Sequence, residues 1–302
     1  MIKKNGINNY KSLLSKMSKL NQISIKEVLD KLNKNVVCVG SGSSYTTAYL
    51  SSKLLKKYFN KTVELMTPRE LLNDSINSDA SIIIYSYSGT SKDTVYLRKI
   101  YPQAIVITGR NLEEFSEKKN IFSYYLSLDY EKGLILYENV IVPILLLVKE
   151  IDELSDIIEY EIANFNSYKP EIKDIKNIAI FDGDYTTAAA LDLVDKLLET
   201  AVVKYDLYDK KNFSHGQYNY YKSINYDLAI YFKQKNVSLY EEILMNKLGD
   251  LLIVESEFNG YKASIDLIFK SFIIYNELLD KSNLNLFDDE YRELYKFEGD
   301  FK

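Results

Sequence analysis

The strongest constraint on this chain is an alternation. Apolar runs of strand length at residues 36–39, 62–66, 81–85, 104–108 and 121–126 are separated by longer stretches. Helical spacing marks 46–58 and 92–99, and a longer helical stretch at 134–154 follows the last run. Strands that alternate with helix-length segments build βαβ units, and hence a parallel sheet covered by helices on both faces. The pattern restarts with strands at 177–181, 202–208, 228–232 and 251–255, a helix at 186–200, and an apolar helix at 265–279. Between the halves, the Lys- and Asn-bearing stretch 164–176, with Pro170, reads as a linker. Ahead of both, Leu13, Leu14, Met17 and Leu20, then Ile25, Val28, Leu29 and Leu32, recur at helical spacing. The expected organisation is N-terminal helices over 1–32, one α/β unit over 33–163, a second over 177–280, and an acidic, aromatic tail over 281–302.

The two halves share a junction. VVCVGSGSSYTTAYLSSKLL (36–55) and IAIFDGDYTTAAALDLVDKLL (178–198) both run from a β-branched strand through a Gly-containing corner into a helix. Tyr45-Thr46-Thr47-Ala48 and Tyr185-Thr186-Thr187-Ala188 hold equivalent places, which predicts two copies of one α/β unit.

In open α/β sheets, ligands sit at the carboxyl ends of strands, where loops lead into helix N-termini. Such a terminus offers backbone N–H groups and a partial positive charge that suit a phosphate. Gly40 and Gly42 let the backbone come close, while Ser41, Ser43 and Ser44 add hydroxyls. A second corner, Ser86-Tyr87-Ser88-Gly89-Thr90-Ser91, follows the third strand. One such corner is as well explained by Ser and Thr capping the next helix. Two in one βαβαβ unit favour an anion site. GSGSSY lacks the third glycine of a dinucleotide fingerprint, and no GK[ST] marks a P-loop.

Charge and cysteine content narrow the function classes. A formal charge of −5 argues against a general nucleic-acid binder. A single cysteine, Cys38, allows neither an intramolecular disulfide nor a cysteine metal cluster, and in an apolar strand it reads as a small buried hydrophobe. No metal or cofactor is expected. The first residues show no apolar core of signal-peptide length, and the apolar run 140–148 is too short to span a bilayer. The expectation is a soluble, cytoplasmic protein with neither membrane nor nucleic-acid partners.

GSGSSY, YSYSGTSKDT and a following ITG strand together resemble the SIS (sugar isomerase) domains. The resemblance covers about 30–280 and points to the double-SIS proteins, which include the isomerase half of glucosamine-6-phosphate synthase and the ketosamine-6-phosphate deglycases and deaminases. It implies two tandem SIS domains, each a parallel five-stranded sheet flanked by helices in a flavodoxin-like three-layer sandwich. It also implies that Ser43, Ser44, Ser86, Ser88 and Ser91 hold a sugar phosphate. Gly42, Tyr87, Thr90, Glu131 and Gly133 would lie along the sugar, with Tyr87 where the synthases usually have Gln and Thr90 where they usually have Glu.

In the second half, Lys196-Leu197-Leu198-Glu199 is similar to the family's K-x-x-E, and Phe213-Ser214-His215-Gly216-Gln217 to its [KR]HGP loop. Sixteen positions separate Glu199 from His215, the only histidine of the chain, as in the synthases. Gln217 replaces the family's proline and Asn212 its glutamate; the synthases' C-terminal lysine motif is not recognisable, with Lys296 and Lys302 only loose candidates. By resemblance Glu199 is the base and His215 the ring-opening group, with the histidine loop reaching a neighbouring subunit in a homodimer. Taken alone, a Glu near a helix end is usually a solvated charge, and a lone His in a Gly-containing loop is usually structural.

The chemistry fits these groups. Aldose–ketose interconversion moves a proton between C1 and C2, which a desolvated carboxylate can carry near neutrality. Opening the sugar ring needs a proton relay, which an imidazole supplies. The function read from the sequence is an enzyme acting on a sugar or amino-sugar 6-phosphate by enolisation, as isomerase, deaminase or deglycase. The alternative is a non-catalytic sugar-phosphate sensor that regulates a partner protein; a third is a degenerate structural module.

Overall fold

The computed structural model describes residues 17–126, 137–164, 167–173 and 175–281. A 3-10 turn at Ser18–Gln22 and the short helix α1 (Lys26–Asp30) lead in, with Met17, Leu20, Ile25, Val28, Leu29 and Leu32 buried. The first sheet contains β1 (Asn35–Val39), β2 (Thr62–Met66), β3 (Ser81–Tyr85), β4 (Ile105–Thr108) and β5 (Ile121–Ser123). All pair in parallel, in the order β2-β1-β3-β4-β5. Helices α2 (Ser43–Tyr58), α3 (Pro68–Asn73) and α4 (Lys92–Ile100) connect the first four strands, and α5 (Glu138–Lys149) and α6 (Asp156–Asn164) follow β5.

The second sheet repeats the plan with β6 (Asn177–Asp182), β7 (Lys204–Asp209), β8 (Leu228–Lys233) and β9 (Leu252–Glu255), parallel in the order β7-β6-β8-β9. Its helices are α7 (Thr187–Thr200), α8 (Tyr218–Ser223), α9 (Leu239–Leu248) and α10 (Gly260–Lys281). Four strands stand among the described residues, as the apolar runs predict, where the resemblance implies five. After β4 the first unit passes through a 3-10 turn, Leu112–Glu114, into β5; after β9 the second unit goes almost directly into the 22-residue helix α10. No stretch of strand length is left between them.

Alternation along the strands sorts the core into three layers. Val36 and Cys38 of β1, with Ile178 and Ile180 of β6, face one continuous apolar core that also takes in buried residues of α2, α5, α7 and α10. Val37 and Val39 face the opposite side, against Leu71 of α3 and Leu97 of α4. Ala179 and Phe181 likewise face Tyr221 of α8 and Leu244 and Leu248 of α9. Both faces of each sheet are therefore covered, which is why the strands read as unbroken apolar runs. Helix α5 is buried from Glu138 to Val148, as expected of a helix apolar on every side. The run 140–148 is thus core, and no described helix is long and apolar enough to cross a membrane. Cys38 has no exposure, and burial pushes its thiol up to about 12, so it is inert packing.

One glycine fixes how closely α2 meets β1. A Cβ on Gly40 would lie 2.2 Å from the carbonyl oxygen of Ser44 and 2.6 Å from its carbon. Only hydrogen fits where the strand turns under the helix it feeds. Gly40→Ala must push α2 off the sheet, with an expected loss of at least about 2 kcal/mol in urea unfolding. A variant within about 0.5 kcal/mol of the parent protein contradicts this account.

Candidate active site

The strand order of the first sheet reverses at β1, so the chain leaves β1 to one side and β3 to the other. The crevice between their carboxyl ends is the usual ligand position in such sheets. Two corners close it: residues 40–44 after β1, and 86–91 after β3.

At the first corner Gly42, with φ +52°, precedes α2, and Ser43 and Ser44 form the helix's first turn. Both serines are buried. Ser44 is held through Asn139 at the start of α5: Asn139 Nδ2 donates to Ser44 Oγ at 3.1 Å. One turn on, Thr47 donates to the carbonyl of Asn139 at 2.9 Å. The N-terminus of α2 is thus pinned from below by α5, which leaves it facing the crevice.

The second corner is a tight loop. Gly89, with φ +60°, donates its N–H to the carbonyl of Ser86 at 3.0 Å, with Ser86 Oγ at 3.2 Å. Ser88 Oγ accepts from the N–H of Thr90, and Ser91 Oγ caps α4 by accepting from the N–H of Thr94 at 3.3 Å. Capping therefore accounts for the present position of Ser91. Its hydroxyl also lies 2.7 Å from Thr94 Oγ1, so the cap and this contact together hold it at the head of α4.

Tyr87 lies differently from a residue lining the sugar. Its ring is buried beside Tyr124 and Gly109, and its hydroxyl donates to the carboxylate of Glu138 at 2.9 Å. A Cβ on Gly109 would meet that ring at 2.4 Å, so the glycine makes room for it. At this position the backbone, not the side chain, borders the crevice. Thr90 is exposed on the loop, and Glu131 and Gly133 lie outside the described residues.

Glu199 comes to this corner from the other unit. It sits near the end of α7, and its Oε1 is 3.6 Å from where a Cβ of Gly42 would stand. It is hydrogen-bonded by the side chain of Ser43. One turn back on α7, Asp195 accepts from Thr46 Oγ1 at 3.2 Å, a second tie between the two units. Burial pushes the Glu199 carboxyl up to about 7, with Lys196 opposing and Asp195 and Asp192 assisting. Lys196 has no solvent exposure: it pairs with Asp192 and lies 4.6 Å from the ring centre of Phe272 and 5.5 Å from that of Tyr137. Asp192 in turn accepts from Ser271 of α10 at 2.5 Å. The lysine is therefore fixed beside Glu199 and keeps its carboxyl from rising further.

His215 is not brought to Glu199 within the chain. Its loop follows β7 and is anchored by Phe213, which packs edge-on to Phe181 and Tyr208 at 5.1 and 5.4 Å. Gly216, at φ +102°, has nothing within 4 Å of a would-be Cβ, and His215 is exposed. The side-chain amide of Asn212 donates to Asp209 at 2.5 Å, and its carbonyl accepts from the N–H of His215 at 2.9 Å.

The second unit's own crevice, between β6 and β8, is filled. Lys210, buried, donates to the carbonyl of Phe232 at 2.5 Å, to Thr186 Oγ1 at 3.3 Å and to Glu241 at 3.4 Å, with its Nζ 4.5 Å from the Tyr231 ring centre. The sequence carried no signal for this plug. Nearby, a cleft of about 680 Å³ shares α2 with the serine corner through Tyr49 and Lys53, but Glu199 and 86–91 are not part of it. Asp182, Asp184 and Asp209 line it, as does Gln217. Lys53 and Lys211 also line it, so the cleft is of mixed charge, unlike the serine crevice, whose polar groups are hydroxyls and backbone N–H groups.

No protein-family model and no curated protein matches the sequence. Solved structures do. The chain is similar to a glucosamine-6-phosphate deaminase from Thermotoga maritima, with TM-score 0.75 and 14% identity over 91% of this chain and 94% of that one. It is also similar to the C-terminal domain of a glucosamine-fructose-6-phosphate aminotransferase from Francisella tularensis (TM-score 0.65, 16%, covering 92% and 95%). A tagatose-6-phosphate ketose/aldose isomerase from Escherichia coli gives 0.64 and 16%, over 93% and 92%. At these identities the likeness is one of fold: the chain has the two-sheet architecture of the double-SIS proteins.

The raised carboxyl has a measurable sign. The folded protein holds the Glu199 proton up to about 7, whereas an unperturbed carboxyl releases it near 4.5. Its contribution to stability is therefore full below the lower value and is lost as pH rises through the upper one. In urea unfolding across that window, the protein should lose stability relative to Glu199→Gln as pH rises. A difference between the two that stays flat with pH removes the perturbed carboxyl.

Proposed function

We propose that the chain is an enzyme that enolises a phosphorylated sugar or amino sugar. The observation that carries the reading is the hydrogen bond from Ser43, in the first turn of the anion-binding helix, to Glu199, a buried carboxyl poised near neutrality. Phosphate affinity and proton-transfer capacity meet at one corner, and an aldose–ketose shift on a sugar 6-phosphate needs both.

In this reading Ser43, Ser44, Ser86, Ser88 and Ser91, with the N–H groups of both corners, hold the phosphate. They fix the distance from the phosphate to the reacting carbons and supply binding energy remote from the chemistry. Gly42 and the loop 87–90 border the sugar. Glu199 takes the C2 proton of the open-chain aldose and returns it to C1 of the enediol. Lys196 lies beside it, so the carboxylate formed on proton return has a compensating charge. Proton transfers of this kind call for no redox cofactor.

Ring opening is the part the single chain does not assemble. The exposed, anchored position of His215 suits a loop that enters the crevice of a second copy, which gives a homodimer with composite sites. The same observation favours one other reading: a sugar-phosphate sensor in which binding is kept and ring opening is not.

Three measurements decide. Glu199→Gln should bind a sugar 6-phosphate within a few-fold of the parent, while exchange of the C2 hydrogen with heavy water falls by about two orders of magnitude or more. Exchange at the parent rate refutes the base. Ser88→Ala should weaken sugar-phosphate binding about tenfold, the cost of one charge-assisted hydrogen bond; an unchanged dissociation constant removes the cradle. Mixed dimers of Glu199→Ala and His215→Ala protomers should regain part of the activity that each variant lacks, and a verified mixed dimer with none argues for sites complete within one chain.

A further inference from the structure

The charged groups away from the serine crevice include a second cluster of a different kind. At the β9 edge of the second sheet, on the side where the first sheet carries β5, a cavity of about 280 Å³ opens between α6, the segment after it, β9 and α10. Four carboxyl groups line it, those of Glu161, Glu255, Glu257 and Asp266, against one ammonium, that of Lys270.

Two buried oxygens there have no partner. Glu161 is 2% exposed, yet its Oε1 makes no hydrogen bond; the hydroxyl of Tyr168, on the same cavity, is also buried and unbonded. Each was taken out of water with no protein partner in exchange, an arrangement that folded proteins rarely tolerate. The rest of the cluster is satisfied. Glu161 shares a side-chain hydrogen bond with Asp266, itself 1% exposed. Lys270 donates to Asp266 at 3.0 Å and to the carbonyl of Glu255 at 2.6 Å, and Glu255 pairs with Lys233 at 2.7 Å. The one lysine in the cavity is thus turned toward Asp266 and the β9 backbone, with its Nζ 5.7 Å from the centre of the Tyr168 ring, whose other face is left for a second cation.

We propose that this cavity binds a small protonated amine on a short aliphatic stem, its ammonium on Glu161 Oε1 and its stem between the rings of Tyr160 and Tyr168. An ammonium supplies the donor and the positive charge that the cluster lacks. A cation also gains from the adjacent aromatic faces. The space is several times the share of one water molecule, which suits a stem of a few carbons better than a lone ion. No group of three metal-ligating side chains is assembled among the described residues.

Binding is coupled to a proton. Burial, and then the charge of Asp266, push the Glu161 carboxyl up to about 9, with Lys270 opposing. Tyr160 on its own helix, Tyr168, and Glu255 and Glu257 at the end of β9 are the other titratable groups on the cavity; none brings a positive charge. Near neutral pH the raised Glu161 carboxyl keeps its proton. An arriving ammonium makes that proton redundant, so it leaves.

The test is isothermal titration of the full chain with 1,4-diaminobutane near neutral pH, in two buffers of unequal ionisation enthalpy, neither a primary amine. One saturable site is expected, with close to one proton released per amine bound. Glu161→Gln, which keeps the size and a hydrogen bond to Asp266, should weaken binding at least about tenfold and abolish the proton release. Tyr168→Phe, which keeps the ring, should weaken it by a smaller factor. 1,4-Butanediol, the uncharged counterpart, should not bind. The proposal is overturned by a water-filled cavity with no saturable binding up to about 10 mM. Equal binding of the diol, or affinity indifferent to Glu161→Gln and Tyr168→Phe together, also overturns it.

Discussion

The architecture depends on the burial of one helical layer against two sheets at once. Buried residues of α2, α5, α7 and α10 form a single apolar core with the inner faces of β1 and β6. At roughly 25 cal/mol for each Å² of apolar surface removed from water, a layer of this kind outweighs any polar contact in the molecule. It also decides the chemistry. With α2 and α7 packed together, the start of one lies against the end of the other, and the Ser43–Glu199 and Thr46–Asp195 contacts follow from that packing.

Much of this was legible in the sequence because it is written in periodicity. Unbroken apolar runs marked strands covered on both faces, and the corners at 40–44 and 86–91 stood out by their glycines and hydroxyls. Two short helices were missed although their start signals are present: Thr67 and Ser238 each form a capping box with the glutamate three positions on, Glu70 and Glu241. The resemblance implied five strands in the second sheet, where four stand among the described residues, because after β9 the chain goes into α10. Tyr87 was placed by motif alignment, but its size and hydroxyl send it into the core toward Glu138. What the sequence withheld altogether were long-range partners. Nothing in the spacing joins Ser44 to Asn139 or Lys210 to Phe232, since those contacts are set by how helices dock and not by local pattern.

The two corners of the repeat have diverged in charge while keeping their backbone plan. After β1 the chain carries Ser41, Ser43 and Ser44; after β6 it carries Asp182 and Asp184. Asp182 is buried, which pushes its carboxyl up to about 6, against the pull of Lys210 and the hydrogen bond of Thr187. Hydroxyls and helix amides welcome an anion; carboxylates repel it. One architecture thus carries two corners of opposite polarity.

Lys210 carries a consequence of its own. By threading its ammonium among Phe232, Thr186, Glu241 and the Tyr231 ring, the second unit closes the crevice between β6 and β8 from within. An ammonium supplied by the chain itself needs no counter-ion from solution, so the closure of this crevice does not wait on any ligand.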